Sequence, residues 1–387
     1  MKSRTLLPLV TLGLAGLVPA QDLPPNPYLS LQNEMKQAIA RGNAYLVGQQ
    51  HEDGYWGDPE LPALTALALT SVVRDPSFDI GRPFPDNIKK GFEWLVAQQK
   101  EDGGIYNRGL ATYNTATAVT ALVASGRDIY EPAIVRARKF LIGEQWDIGS
   151  EGEADNKNDG GIGYGSKNDH TDLSNTYLAI EALALSKKVI EDGKFGDQPE
   201  LDWDAAITFL SRCQNLPGTN DQDWASDNPE DVGGFIYTPG SSKAGERDLG
   251  DGRVALRSYG SISYAGLLSL IYAELKPDDP RVVAVKKWLG KNFTLDENPG
   301  MGAEGLYYYY QAMSKALSVA GIDRLVLEDG STVDWRSKLA SRLLTLQREN
   351  GSWVNDNGRW MESNAILVSS YTIMALEQVY YSIPGRP

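Results

Sequence analysis

Residues 92–106 read FEWLVAQQKEDGGIY. Phe92, Leu95 and Val96 recur at helical spacing, with Trp94 beside them; the run stops at Gln98-Gln99, and a charged, glycine-bearing turn then delivers an aromatic residue. The same phrase returns as AYLVGQQHEDGYW at 44–56 and as LLTLQRENGSW at 343–353. Looser copies are KFLIGEQ (139–145) with DGGIGY (159–164), and FLSRCQ (209–214) with VGGFIY (232–237). In the copy at 92–106, Gly104 and Tyr106 stand one place off the spacing of the two best copies. Self-similarity at a period of about 40–50 residues dictates the architecture before any other feature does.

Each unit reads as outer helix, Gln/Gly/aromatic turn, inner helix. Inner helices are expected at 61–73, 111–125, 173–186, 260–275, 305–321 and 363–380, where alanine and leucine fill both faces. A helix apolar nearly all round is buried on all sides. Their partners, such as 88–99 and 282–293, carry lysines on one face, as outer helices should. An open solenoid needs polar capping repeats at its ends, and neither terminal copy looks like one. Six inner and six outer helices closing on themselves make an all-α fold, an α/α toroid, expected over residues 32–387 as a single domain. Two long acidic, glycine-rich loops, 148–171 and 217–257, replace tight turns at one end. Loops of that length are often lids or binding surfaces.

Composition excludes some partners. The 387 residues are 42% hydrophobic and 23% charged, with a formal charge of −14. Lys2, Arg4, the apolar run Leu6–Val18 and the small-residue site Val18-Pro19-Ala20 read as a secretory signal peptide over 1–20. Its removal takes two positive charges, giving −14 − 2 = −16. That surface repels phosphate backbones, so no nucleic-acid partner is expected. Pro8, Gly13 and Gly16 interrupt a run too short to span a bilayer, so no membrane span is expected after cleavage. The destination is periplasmic or extracellular. A proline-rich linker follows at 21–31. Cys213 is the one cysteine, so no internal disulfide is possible.

The phrases Gln50-His51-Glu52-Asp53-Gly54-Tyr55-Trp56 and Gln347-Arg348-Glu349-Asn350-Gly351-Ser352-Trp353 resemble the QW-type repeats of the squalene–hopene cyclase and protein prenyltransferase β-subunit superfamily. DLSNTYLAIEAL (172–183) and GLYYYYQAMSKAL (305–317) are similar to exported bacterial prenyltransferase/squalene oxidase repeat proteins. The resemblance covers about residues 32–381. It implies a toroid with a central cavity for an isoprenoid-like ligand. The superfamily's chemistry is not carried over. The Asp-x-Asp-Asp acid of class II cyclases is missing; Lys276-Pro277-Asp278-Asp279-Pro280 comes nearest and lacks the first aspartate. Of Cys213, His51 and His170, the cysteine stands in an outer helix just before Gln214 and His51 within a repeat turn, so neither is expected to join a zinc set in a common cavity, and no DDxxD pyrophosphate site occurs. The Cys-Gly-Glu-Gln of thioester toroids would need a cysteine where Ile142 stands. No metal and no cofactor is expected.

The turn residues Gln50, Gly54, Trp56, Gln99, Gln347, Gly351 and Trp353 read as structural, the glutamines and glycines capping helix ends. Functional candidates are polar residues on the inner helices. Inner-helix N-termini open towards one mouth of the cavity, where free N–H groups favour anions. Asp172 and Ser174 suit an N-cap there, with Asn175 next and Asn114 at the matching position of the second inner helix, preceded by Tyr113. Tyr259, Ser261 and Tyr264 begin the fourth. Of the run Tyr307–Tyr310, two should face the cavity and two pack outward. Tyr308 and Lys315 lie at i, i+7, and Tyr307, Gln311 and Lys315 at i, i+4, i+8. A buried lysine beside phenols could serve as a base; the other reading is a solvated lysine on a rim.

Asp172, Tyr308 and Lys315 are therefore the catalytic candidates. Tyr113, Asn114, Asn175, Tyr259, Tyr264, Tyr307 and Gln311 are the ligand-binding ones. Asp155, Asn156, Asn158 and Asp159 lack the ligand spacing of a calcium loop. Asp231, Asp248 and Asp251 offer carboxylates at the mouth, as a carbohydrate-active toroid would need, with no defined separation. Two functions follow: an apolar isoprenoid-like ligand held in the cavity, or a hydrolase or lyase acting on a carbohydrate. A non-catalytic scaffold is the third. Aromatic walls suit isoprenoids and sugar rings alike, so the polarity of the lining decides.

Overall fold

The computed structural model describes residues 27–165, 170–191, 193–250 and 252–383; the expected leader over 1–20 lies outside them. Outer and inner helices alternate: α1 (Leu29–Gly48) with α2 (Pro62–Arg74), α3 (Asp86–Ala97) with α4 (Ala111–Ala124), α5 (Glu131–Gly143) with α6 (Leu173–Leu185). A short α7 (Lys187–Glu191) precedes α8 (Trp203–Arg212) with α9 (Gly260–Tyr272), then α10 (Pro280–Lys291) with α11 (Leu306–Val319), and α12 (Trp335–Thr345) with α13 (Ala365–Ser382). The inner helices pack in the cycle α2, α4, α6, α9, α11, α13 and back to α2, so the ring closes as an α/α toroid. α1 starts at Leu29, inside the stretch expected to be linker.

Burial follows the patterning. Every residue from Pro62 to Val73 of α2 is buried, whereas α3 buries only the stripe Ile88, Gly91, Phe92 and Leu95. The repeat phrase is the joint between the rings. Gln50 Nε2 donates to the carbonyl of Gly54 in its own turn (2.8 Å) and to that of Asn87 at the start of the next outer helix (2.8 Å). Gln99 does the same to Gly103 and Ala133, Gln145 to Gly160 and Asp202, Gln214 to Gly233 and Arg281, and Gln347 to Gly351 and Ala38. The last of these stitches the end of the chain to its beginning. In each turn the glycine has φ between +81° and +104° and lies so close to the next outer helix that a Cβ would meet a backbone carbonyl at 2.0–2.8 Å.

The residue two places after that glycine is the buried anchor: Trp56, Ile105, Ile162, Phe235 or Trp353, all fully inaccessible. Its N–H donates to a hydroxyl near the start of the following inner helix, from Trp56 to Thr65, Ile105 to Thr115, Ile162 to Thr176, Phe235 to Ser263 and Trp353 to Ser369. The supposed offset of Gly104 and Tyr106 is thereby corrected. Gly103 and Ile105 keep the ideal spacing, and only the aromatic side chain has been replaced.

Within the second long loop, β1 (Glu246–Gly250) pairs antiparallel with β2 (Arg253–Leu256), a hairpin that the sequence reading treated as loop. A small hairpin of β3 (Leu325–Val326) and β4 (Thr332–Val333) precedes α12.

Candidate functional site

The axis of the toroid holds a cavity of about 370 Å³ at the N-terminal ends of the inner helices. Tyr113 from α4, Ser174 and Asn175 from α6, Ser261 from α9, Tyr308 from α11 and Leu367 and Tyr371 from α13 line it. Both long loops reach over it and contribute Tyr164, Tyr237 and Lys243. Trp360, Met361 and Glu362 close the side next to α13.

The polar atoms of this wall are largely engaged with one another. Tyr113 Oη and Tyr371 Oη are 2.8 Å apart, Tyr164 Oη and Tyr237 Oη 2.6 Å, and Ser174 Oγ and Tyr308 Oη 3.3 Å. Burial pushes all of these phenols up from their ordinary value, so they stay neutral at neutral pH. Glu362 holds the start of α11: its carboxylate accepts the N–H groups of Tyr307 and Tyr308 (2.8 Å to the latter) and Nδ2 of Asn355. Burial raises its pKa and these donors oppose the rise. Lys243 Nζ sits 3.5 Å over the Tyr237 ring. Burial lowers its pKa, and nearby Asp172 works in the opposite direction.

The catalytic candidates do not form one constellation. Asp172 is the N-cap of α6, fully buried behind the wall; Asn175 donates to it through its backbone N–H (2.9 Å) and through Nδ2 (2.7 Å). Burial raises the Asp172 pKa against those bonds. Tyr308 reaches the cavity. Lys315 lies below it, beyond the paired Tyr113 and Tyr371, around a separate space of about 20 Å³. There it is buried, with Nζ 2.9 Å from Glu181 Oε2 and 3.5 Å from Tyr177 Oη. Lys315 is thus not the solvated lysine of the sequence reading: it is buried and its Nζ is paired with Glu181.

Among the ligand-binding candidates, Tyr113, Asn175 and Tyr259 line the cavity. Gln311 faces the lower space. Asn114 is a structural link, its Oδ1 accepting the N–H of Ala63 (2.9 Å). Tyr264 is buried away from the axis with its ring 5.6 Å from that of Tyr309. Tyr307 packs edge-on against Tyr310. So one tyrosine of the run faces the cavity rather than two; Tyr309 and Tyr310 donate outward to the carbonyls of Thr294 and Leu295.

The loop carboxylates are also engaged. Asp159 accepts the N–H groups of Ile148 and Asn156, and Asp155 that of Ser150. Asp231 is buried between Arg247 and the N–H of Ser258, and Asp248 accepts the N–H of Gly250. Asp251 lies outside the described residues. No cluster of three or more His, Cys, Asp or Glu able to hold a metal occurs among the described residues.

Sequence reasoning missed Tyr164, Tyr237, Lys243, Trp360, Glu362 and Tyr371. For the first two a signal existed. The position two places after the buried anchor is Asp58, Asn107 or Asn355 in the tight turns and tyrosine only in the two repeats with long loops.

No known family's sequence model and no curated protein matches the chain. Solved structures do. The chain is similar to the type II terpene cyclase MstE from Scytonema, with TM-score 0.51 and 14% identity over 91% of this chain and 99% of that one. It is similar to protein geranylgeranyltransferase-I of Candida albicans, complexed with GGPP, with TM-score 0.51 and 14% identity over 89% and 90%. It is also similar to a glycoside hydrolase family 76 mannosidase from Bacteroides thetaiotaomicron, with TM-score 0.52 and 14% identity over 88% and 98%. At such identity the likeness shows the scaffold alone, an α/α toroid on which terpenoid and sugar chemistry both occur.

Proposed function

We propose that the chain binds one apolar, isoprenoid-like molecule in the axial cavity. The observation that carries this reading is the pairing of the wall's hydroxyls. Tyr113 with Tyr371, Tyr164 with Tyr237 and Ser174 with Tyr308 each share one hydrogen bond, which occupies one O–H of each pair and leaves ring faces for a ligand. A sugar, each of whose hydroxyls must find a partner when buried, would meet only one free O–H per pair. It would also need a free carboxylate pair for hydrolysis, and Asp172 and Glu362 are committed to backbone N–H groups. The same commitment argues against cyclisation started by a strong acid, so the reading is binding rather than catalysis. The volume, about 370 Å³, falls in the range of about 300–1,000 Å³ usual for small-molecule sites.

The test is mass spectrometry of organic extracts of the purified protein. A polyprenyl species in the extract supports the reading. A clean extract, with a melting temperature raised by manno-oligosaccharides and unmoved by farnesol, overturns it. Export on residues 1–20 belongs to the same proposal; N-terminal sequencing of the secreted protein should begin at Gln21, and a retained Met1 would refute it.

A further inference from the structure

Among the described residues, four other than glycine have a positive φ: Leu110 (47°), Glu274 (61°), Trp360 (53°) and Met361 (64°). Three of the four line the cavity. A left-handed backbone is strained for bulky side chains and persists only where the surroundings fix it, commonly at ligand clamps and switch segments. Yet these three side chains remain 37%, 39% and 43% exposed, so little packing holds them.

The turn Arg359–Met361 is tied at both ends and free between them. Before it, Asn357 Oδ1 accepts the Arg359 N–H (3.0 Å), and Arg359 Nε lies 3.1 Å from Glu304 Oε2. After it, the Glu362 carboxylate accepts the Tyr308 N–H (2.8 Å) and Nδ2 of Asn355 (2.7 Å), and the Asn364 N–H donates to the Met361 carbonyl (2.8 Å). The N–H groups of Trp360 and Met361 and the Trp360 carbonyl form no hydrogen bond among the described residues. Exposed backbone with few bonds marks a segment that rearranges at low cost. Leu110 is firmer, its carbonyl accepting both the N–H and Nδ2 of Asn114 (2.9 and 3.0 Å).

The rim built by the two long loops has no such freedom. Tyr164 and Tyr237 join hydroxyls at 2.6 Å, and Thr238 Oγ1 donates to the Thr171 carbonyl (2.8 Å). Buried Arg212 donates to the carbonyls of Ala154 and Asn156 in the first loop and to Asp221 in the second. Cross-tied in this way, the long loops are a wall, and the part able to move is a turn of three residues.

We propose that the turn Arg359–Met361 is a strap that closes over the occupied cavity: Trp360 and Met361 leave the left-handed conformation when an apolar molecule enters, and their side chains cover it together with Leu110. The strap rests on the apolar-cavity reading. The ligand supplies the burial that the open turn lacks, and release of backbone strain adds to affinity.

The test is calorimetric titration of farnesol into two variants of one position. Met361→Ala and Met361→Gly both remove the side chain, and only glycine is at ease at positive φ. Met361→Gly should melt higher than Met361→Ala and bind farnesol on the order of fivefold more weakly, because the strain whose release favours closure is gone. The same pair at Glu274, the left-handed residue that does not line the cavity, should differ in melting temperature and not in affinity. In the parent, exchange of the Trp360 and Met361 amide hydrogens should slow on the order of tenfold at saturating farnesol. Equal affinity or equal melting of the two Met361 variants, an affinity difference as large in the Glu274 pair, or amides that exchange as fast with farnesol as without it each overturns the strap alone. Farnesol that fails to bind the parent sinks the cavity reading and the strap together, so the two failures are distinguishable.

Discussion

At the helix starts the axis opens into about 370 Å³ walled by Tyr113, Tyr308 and Tyr371; at the helix ends it narrows to about 20 Å³ around Lys315 and Glu181. The same six helices build both. At the upper end small residues such as Ser174, Ser261 and Gly305 leave room, and paired hydroxyls present ring faces. At the lower end long side chains meet across the axis, where Lys315 pairs with Glu181 beside Tyr177. Tyr308 and Lys315 show what the difference does. They share a helix face seven residues apart, about 10 Å along the axis, and belong to different compartments. The lower half therefore holds the ring together, and the upper half is free to hold something else.

Substitutions should separate the two halves. Lys315→Ala leaves the Glu181 carboxylate buried and unpaired, and should cost about 3–5 kcal/mol of stability, read in denaturant unfolding, with farnesol affinity of the folded protein within about twofold of the parent. Lost affinity at unchanged stability would break the comparison. Gln214→Ala removes both bonds of a turn glutamine, to Gly233 and Arg281. It should cost about 2–3 kcal/mol, which would show that the frame around the cavity is as demanding as the lower plug.

A pH experiment probes the seam where α13 meets α2. Glu377 is fully buried there and neither oxygen accepts a hydrogen bond; Arg74 Nε, 3.7 Å away, is too distant to donate one. Burial raises its pKa well above the ordinary carboxylate value. A carboxyl so raised binds its proton more tightly folded than unfolded. Its contribution is complete below the unfolded pKa of about 4.3 and is lost as pH rises from there towards the folded value. Glu377→Gln should therefore gain stability over the parent progressively from pH 5 to pH 8; a constant difference would contradict this. The smallest effect is expected at the upper end. Tyr308→Phe loses one long hydroxyl contact to Ser174 and should destabilise by less than about 1 kcal/mol, while isoprenoid binding persists.

Much of the scaffold was legible because a joint repeats. Glutamine, glycine and a buried anchor recur at fixed spacing, and the inner helices announce themselves by being apolar on every face. That same uniformity hid the site. A helix apolar all round gives no sign of which stripe faces the axis, so Tyr264 and Tyr307 read as cavity residues as readily as Tyr113 and Tyr308. The search for an aromatic anchor misaligned the second turn, where Ile105 does the work of Trp56. Asp172 was readable as an N-cap from residue type and position alone. Lys243 and Trp360 were not readable, since they sit in irregular loops and meet only through the closure of the ring.

The central claim, that the upper cavity takes an apolar chain, is tested most directly by calorimetric titration of farnesol and of mannotriose into the parent protein and into Leu367→Trp, which fills the cavity wall. Saturable farnesol binding to the parent, lost in the variant, with no heat from mannotriose, is the predicted result. Mannotriose binding that the substitution abolishes, with farnesol silent throughout, would contradict it.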